Sequence, residues 1–411
     1  MTTSYPTSGV HEDGRPAGAR MIAGVATGVT ALIGAARRGP CNRAVRIDSV
    51  GDFERQFGGL AADCELGYAV RQFFLNGGTS GWAVRVPRHA DTRQWLQGLN
   101  SLAAVDRFNL LVLPGLADPE VLAAAADTCR QRTAFLIADA PADARTPALM
   151  AACVQSRTLP RTSYGGVYFP WVRMDDPLAP GTPRIAPPGA AVAGLFARTD
   201  DRAGIWKAPA GPEAFLQGVQ GLECAVDTRE AGELADLGVN CLRPLPGGIA
   251  VGGARTLDGD ARSNSDWRYV PVRRLALYLE ESLDCGTRWA AFEPNQPALW
   301  AELRAAVESF MQGLFDRGAF MGTRPDLAYL VRCDETTTTQ ADIEAGEVNI
   351  EVRFAPLEPA EFVIVTIRQM TAPPACPAPA GEEERAGDGP GVAAPPARRS
   401  RGLRPRRPAP R

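Results

Sequence analysis

Two short apolar runs, FNLLVLP at 108–114 and FLIADAP at 135–141, bracket an alanine-rich stretch at 119–132 and narrow the folds open to this chain. Each run is apolar at both parities and stops at a proline, as a strand covered on both faces does. Strand, helix, strand in that order is the unit of a parallel sheet with helices on its two sides. Residues 166–171 read as a third strand, and 151–156 as the start of another helix. Upstream, the small apolar stretch 21–34 predicts a strand that ends before Arg38-Gly39-Pro40. Ser49 predicts the cap of a helix over 49–57, with Asp52 in its first turn and Phe53 and Phe57 four apart on one face. Residues 66–75 form an amphipathic pattern stopped at Asn76-Gly77-Gly78, and 82–86 a strand.

A layer of this kind invites an enzymatic reading, because Asp139 falls at the carboxyl end of a strand, where open α/β sheets place catalytic groups. Ser156 and Ser163 lie nearby in sequence, but no nucleophile elbow, dinucleotide fingerprint or phosphate loop accompanies them. The two histidines, His11 in a polar arm and His89 in the turn at 87–91, read as solvated loop residues rather than bases. Asp334-Glu335, followed by Thr336 to Thr339, offers too few oxygens for a hard cation and predicts instead a turn and a cap for a short helix at 340–345. No catalytic residue, cofactor or metal is expected. Nine cysteines, at 41, 64, 129, 153, 224, 241, 285, 333 and 376, form no CxxC pair and read as reduced cytosolic thiols. A net charge of -3 favours neither nucleic acid nor membrane as a bulk partner. The absence of a signal-like or long apolar run predicts a cytoplasmic protein. Lys207 is the only lysine among 44 basic residues, a bias that follows from a GC-rich genome and that also suits ion pairs at subunit contacts.

In the last third, Val272, Leu275, Leu279 and Leu283 predict an amphipathic helix ending near Gly286, with Glu280 and Glu281 turned away from its apolar face. Asn295 or Gln296 is placed to cap a second helix from Pro297, whose stripe of Trp300, Leu303, Val307, Phe310 and Leu314 predicts core packing. The run EFVIVTIR at 361–368 is apolar at both parities, which predicts a strand buried on both faces or one destined for another sheet. The polar first twenty residues read as an arm. Residues 371–411, rich in Pro, Ala and charge, read as a disordered tail ending in RRSRGLRPRRPAPR, either solvated or docked on an acidic partner.

The blocks WRYVPVRRLALYLEES (267–282), GTRWAAFEPN (286–295) and YLVRCDETTTTQADIEAGEVNIEVRFAPLEPAEFVIVTI (329–367) carry a resemblance. They resemble the carboxyl-terminal domain of contractile tail sheath proteins, a family shared by contractile phage tails and phage-derived extracellular injection systems. The matching positions are Arg273, Arg274, Glu280, Glu281, Trp289, Phe292, Glu293, Pro294, Asn295, Cys333, Asp334, Glu335 and Thr336. Earlier blocks follow in the family's order, among them RMIAGV at 20–25, FERQFGG at 53–59, FFLNGG at 73–78, YFPW at 168–171 and PPG at 187–189. Two places depart from the pattern. The arm at 8–14 has one apolar residue where an apolar strand is usual, and Gly252 stands where a bulky aromatic is common.

The resemblance implies an α/β sheath layer, subtilisin-like in topology only, and a mixed α+β carboxyl-terminal domain with flexible arms. The implied division is an arm at 1–20, the amino-terminal part of the core at 21–100, the α/β layer at 101–262, the carboxyl-terminal domain at 263–370 and the tail at 371–411. It further implies a structural subunit that polymerises helically around an inner tube and contracts to drive the tube through a target envelope. Its partners would be itself, alone or with paralogous sheath subunits, a tube protein, baseplate and cap proteins, but no membrane and no nucleic acid. Assembly would be cytoplasmic, with release by lysis. A phage virion sheath is the neighbouring alternative, and a cytosolic α/β hydrolase the alternative from another class. Strands added between subunits would link the array, and Phe362, Val363, Ile364, Val365, Thr366 and Ile367 are the expected link. Removing residues 361–411 is then expected to leave a folded monomer that does not polymerise.

Overall fold

In the computed structural model, which describes residues 20–259, 265–357 and 363–372, the strand and helix alternation extends over most of the first 250 residues. Phe362, the arm through Ala19 and the tail from Pro373 lie outside the described residues. The elements run β1 (Thr30–Ala35), β2 (Ala44–Ile47), α1 (Val50–Phe57), α2 (Glu65–Leu75), β3 (Gly81–Val86), α3 (Thr92–Asn100), β4 (Leu110–Val112), α4 (Pro119–Gln131) and β5 (Phe135–Asp139). They continue with α5 (Pro147–Gln155), β6 (Gly165–Phe169), β7 (Val172–Asp175), β8 (Pro183–Ala186), α6 (Gly189–Ala203), β9 (Val219–Leu222), α7 (Thr228–Asp236), β10 (Val239–Leu245) and β11 (Gly248–Val251).

One eight-stranded sheet of order β11-β10-β6-β5-β4-β1-β3-β2 organises this layer. Its six central strands are parallel, and only the edge strands β2 and β11 run antiparallel. The double parity of the apolar runs has a direct cause. Leu110, Val112, Phe135 and Ile137 face Phe53, Phe73, Val192 and Phe196 on α1, α2 and α6. Leu111, Leu136 and Ala138 face Leu99, Val121, Met150 and Leu234 on α3, α4, α5 and α7. A parallel strand with helices on both sides has no polar face to display.

Local signals act as expected at several ends. Ser49 accepts from the Asp52 amide to open α1, and the rings of Phe53 and Phe57 stack at 5.0 Å. α5 begins earlier than the sequence suggested, because Thr146 caps it and Pro147 sits in its first turn. The expected strand over 21–34 is confined to Thr30–Ala35. Residues before it run as irregular extended chain across a later helix, where Ile22 enters the core and the Val25 amide donates to Ser282 Oγ. Gly24 allows this crossing, since a Cβ there would lie 2.0 Å from the Tyr278 hydroxyl. The small antiparallel sheet β8-β7-β9 was not foreseen, because its strands alternate with Asp, Pro and Gly.

The rest of the chain forms α8 (Val270–Thr287), a 3-10 turn (Arg288–Phe292), α9 (Pro297–Asp316), α10 (Pro325–Ala328), β12 (Tyr329–Arg332), α11 (Gln340–Ala345), β13 (Glu347–Phe354) and β14 (Val363–Met370). The last three strands make an antiparallel sheet of order β12-β13-β14. Leu275, Leu279 and Leu283 of α8 and Trp300, Leu303, Val307 and Leu314 of α9 pack on Val348, Ile350 and Val352 of β13. Asn295 does not cap α9. Gln296 holds the N-cap position, without a side-chain bond. β14 is buried on one face rather than two: Val363, Val365 and Ile367 point into the core while Ile364, Thr366 and Arg368 point out. The expected link segment from Val363 to Ile367 is therefore part of the chain's own sheet, and cutting at 361 would strip three core side chains from the monomer.

Asp139 ends β5 with 2 % exposure. It accepts from the Gly115 amide after β4 (3.0 Å) and from the Gly189 amide that opens α6 (2.6 Å). A Cβ at Gly189 would come within 2.8 Å of that carboxylate. Burial pushes the Asp139 carboxyl from 3.8 up to about 7, against the pull of the two amides. A carboxyl raised in the folded state contributes stability that is present below its unfolded value and lost as pH rises through the folded one. The advantage of the wild type over Asp139→Asn, which cannot titrate, should therefore shrink between pH 4 and 8. Thermal melts across that range test this, and a gap that stays constant with pH would contradict it.

Candidate functional site

The residues singled out in the carboxyl-terminal third collect in three places, and the first is the seam between α8 and the α/β layer. Arg274 is 2 % exposed. Its guanidinium forks onto Asp200 of α6 at 2.9 and 2.6 Å, donates to the Thr27 carbonyl and lies 4.7 Å over the Phe196 ring. The neighbouring Arg273 turns to the other side of α8. Its guanidinium sits 3.6 Å over Trp267 and 4.2 Å over Tyr164, and donates to Ser163 Oγ at 2.9 Å. Burial holds Arg273 below the usual arginine range. A planar, weakly hydrated cation tolerates such an aromatic slot where an ammonium would not.

Two turns further on, Glu280 and Glu281 turn away from the apolar face of α8, and both are half-buried because the α/β layer covers α8 on that side. Glu281 pairs with Arg107 and accepts from Asn109 Nδ2 at 3.2 Å, both from the approach to β4. Burial raises both carboxyls, opposed at Glu281 by Arg107 and at Glu280 by Arg273.

The second place is the 3-10 turn and its exit. Arg20 lies 4.2 Å over the Trp289 ring and donates to Glu293 Oε1 at 3.1 Å. The Glu293 carbonyl accepts from the Ala372 amide, and Pro294 forms a parallel bridge with Ala372. Asn295 works as a relay, donating to the Glu347 carbonyl (2.8 Å) and accepting from Trp300 Nε1 (2.7 Å). Phe292 stands 84 % exposed. The third place is the turn after β12. Cys333 is buried, which pushes its thiol up to about 12. Asp334 accepts from the amide and hydroxyl of Thr336, bonds that hold its carboxyl below the usual range, while Glu335 is exposed. Thr339 and Asp342 form a capping box at α11. Among the described residues no three His, Cys, Asp or Glu side chains gather as a metal site.

Nor are the enzyme-like candidates brought together. Both Asp139 oxygens serve main-chain amides, Ser163 receives Arg273, and Ser156 donates to the Cys153 carbonyl at the end of α5. His89 lies exposed in a turn, at φ 55°. The three places hold the fold together.

Residues 262–370 match the family model described as phage tail sheath C-terminal domain. The structure is similar to the sheath of the extracellular contractile injection system PVC in its contracted state, with TM-score 0.70 and 28 % identity over 89 % of this chain and 97 % of that one. It is equally similar to the contracted helical sheath of the anti-feeding prophage, with TM-score 0.69 and 28 % identity over 89 % and 99 % of the two chains. A putative prophage major tail sheath protein of Pseudomonas aeruginosa is 28 % identical over 66 % of this chain and 68 % of its own length. The chain carries a region that matches a phage tail sheath C-terminal domain and is similar along most of its length to contractile sheath proteins. It spans about a quarter of two longer phage tail sheath proteins that it also matches.

Within this chain the family match covers α8 through β14, yet what holds that region in place lies outside it. Asp200, Ser163, Arg107, Asn109 and Thr27 are all far upstream, and no spacing in the sequence announced them. The aromatic residues at Tyr164 and Trp267 were the one available hint of a buried arginine slot. The Arg274 and Asp200 side chains are 3 % and 5 % exposed, so Arg274→Met leaves a carboxylate buried without its counter-charge. Urea unfolding of the monomer should show a loss of about 3–5 kcal/mol, most of it recovered by adding Asp200→Leu. A single-variant loss below about 1 kcal/mol would mean that water reaches the pair.

Proposed function

We propose that this chain is a sheath protein, the repeating subunit of a phage-tail-like injection particle. Copies polymerise helically around an inner tube, and contraction from an extended state drives the tube through a target envelope. The similarity over 97 % of a contracted injection-system sheath carries this reading, because it involves the whole subunit and not one shared domain. Baseplate assemblies of the anti-feeding prophage contain similar chains, which supports a baseplate as partner, with a tube protein and a cap completing the particle. The role is structural, and the buried Asp139 serves the fold rather than a reaction. The subtilisin-like likeness of the α/β layer and the division at 20, 100, 262 and 370 belong to the same reading, as do assembly in the cytoplasm and release by lysis. The prophage relative favours a second reading, the virion sheath of a contractile phage, in which the subunit does the same work.

Contraction requires links that survive a large rotation of the bodies they join. Main-chain hydrogen bonds in an added strand meet that need, since they are indifferent to sequence and travel with the sheet that receives them. Among the described residues no strand pairs with the outer edge of β14. In this reading Val363 to Ile367 form the receiving edge, and an arm of a neighbouring copy supplies the strand. The energy of contraction lies in the difference between two sets of subunit contacts, summed over many copies. Expression of the full chain, alone and with a tube protein, followed by negative-stain electron microscopy, should yield hollow, ridged cylinders. Monodisperse small particles in both preparations would overturn the assembly reading.

A further inference from the structure

The described chain begins at Arg20 and ends at Ala372, and both ends are held by Glu293, one through its carboxylate and the other through its carbonyl. The two most exposed large apolar side chains of the described residues, Met21 (88 %) and Phe292 (84 %), stand at this point. Phe292 is held rigidly there. Its 3-10 turn is anchored by Ala290, which is fully buried, and by the Glu293 contacts that follow.

A second apolar patch lies at the opposite end of the same sheet. β13 starts at Glu347, bonded to Asn295 next to Phe292, and ends at Phe354, beside Ala355. Eight residues of strand separate the two ends by roughly 26 Å. Ala355 accepts from the Met321 amide and donates to the Ala328 carbonyl. Around it Met321, Leu327, Leu330 and Ile364 are 42–55 % exposed, with Leu330 and Ile364 flanking Arg353 in one cross-strand row.

We propose that the Met21 and Phe292 patch of one copy docks on the Met321, Leu327, Leu330 and Ile364 patch of a second copy of this chain. The inference rests on the sheath reading and deepens it. Open helical growth requires a surface that meets a different surface, because a self-complementary patch closes a dimer and stops. Two apolar patches at opposite ends of one rigid sheet satisfy that condition. The arms leave the body at Glu293, so copies joined by arms keep this surface at their junction.

The test uses the full chain carrying Phe292→Ser or Leu327→Ser, with thermal melts and sedimentation of each. Both side chains are exposed, so neither change should move the melting temperature. Each variant alone should need at least about tenfold more protein to assemble, the loss of one anchor residue. A one-to-one mixture should form heterodimers and no polymer, because one junction between the two variants keeps both intact patches. Normal assembly by either variant overturns the proposal, as does a mixture that stays monomeric. A lowered melting temperature overturns it too, showing that the chain covers the patch itself. Failure of the unaltered chain to polymerise under any condition would instead strike at the sheath reading.

Discussion

The fork of Arg274 onto Asp200 is the contact on which the joined body of this protein turns. Two charges taken out of water gain little net stability from one another, since desolvation offsets most of their attraction. What such a pair does is exclude alternatives: any other seating of α8 against α6 leaves a charge stranded in an apolar wall. The same helix feeds two cores, with Val270 and Leu277 on the sheet side and Leu275 and Leu279 on the carboxyl-terminal side. A helix so placed is a shared wall of both cores.

Much of this architecture was legible in the sequence, and the reasons differ by element. The runs at 108–114 and 135–141 announced a doubly covered parallel sheet because double-sided burial leaves no room for polar alternation. The stripe on α9 announced a core helix. By contrast, 21–29 carries strand-like residues but spends them on packing against α8, and nothing local distinguishes the two fates. Glu280 and Glu281 read only as turned away from the apolar face, because periodicity reports one buried face, whereas α8 has neighbours on more than one side. At the candidate site, the arginines, Glu281 and Asn295 were found through the resemblance. Asp200, Ser163 and Asn109, which lie 74 to 172 residues from Arg274, Arg273 and Glu281, had no local signal, and only the fold places them together.

Several polar groups among the described residues are consumed by the protein's own framework. Asp139 joins β4, β5 and α6, Asn295 joins the start of β13 to α9, and Asp334 and Thr339 close a turn and a cap. Residue types common in active sites thus appear throughout, each with its hydrogen-bonding capacity directed inward. Each satisfied buried group removes an alternative arrangement of the framework.

The alternation of β14 sets a rule for whatever lies alongside it. Its inward residues continue the apolar floor over α8 and α9, while Thr366 and Arg368 continue a polar outer face with Glu347 and Glu351. A strand laid on the free edge extends both faces at once. Shifted by one residue, it would press its polar side onto the floor and turn its apolar side to water. The sheet would therefore act as a parity filter: a strand added there in the proposed assembly is sorted by the phase of its hydrophobic pattern, even though the hydrogen bonds themselves ignore sequence.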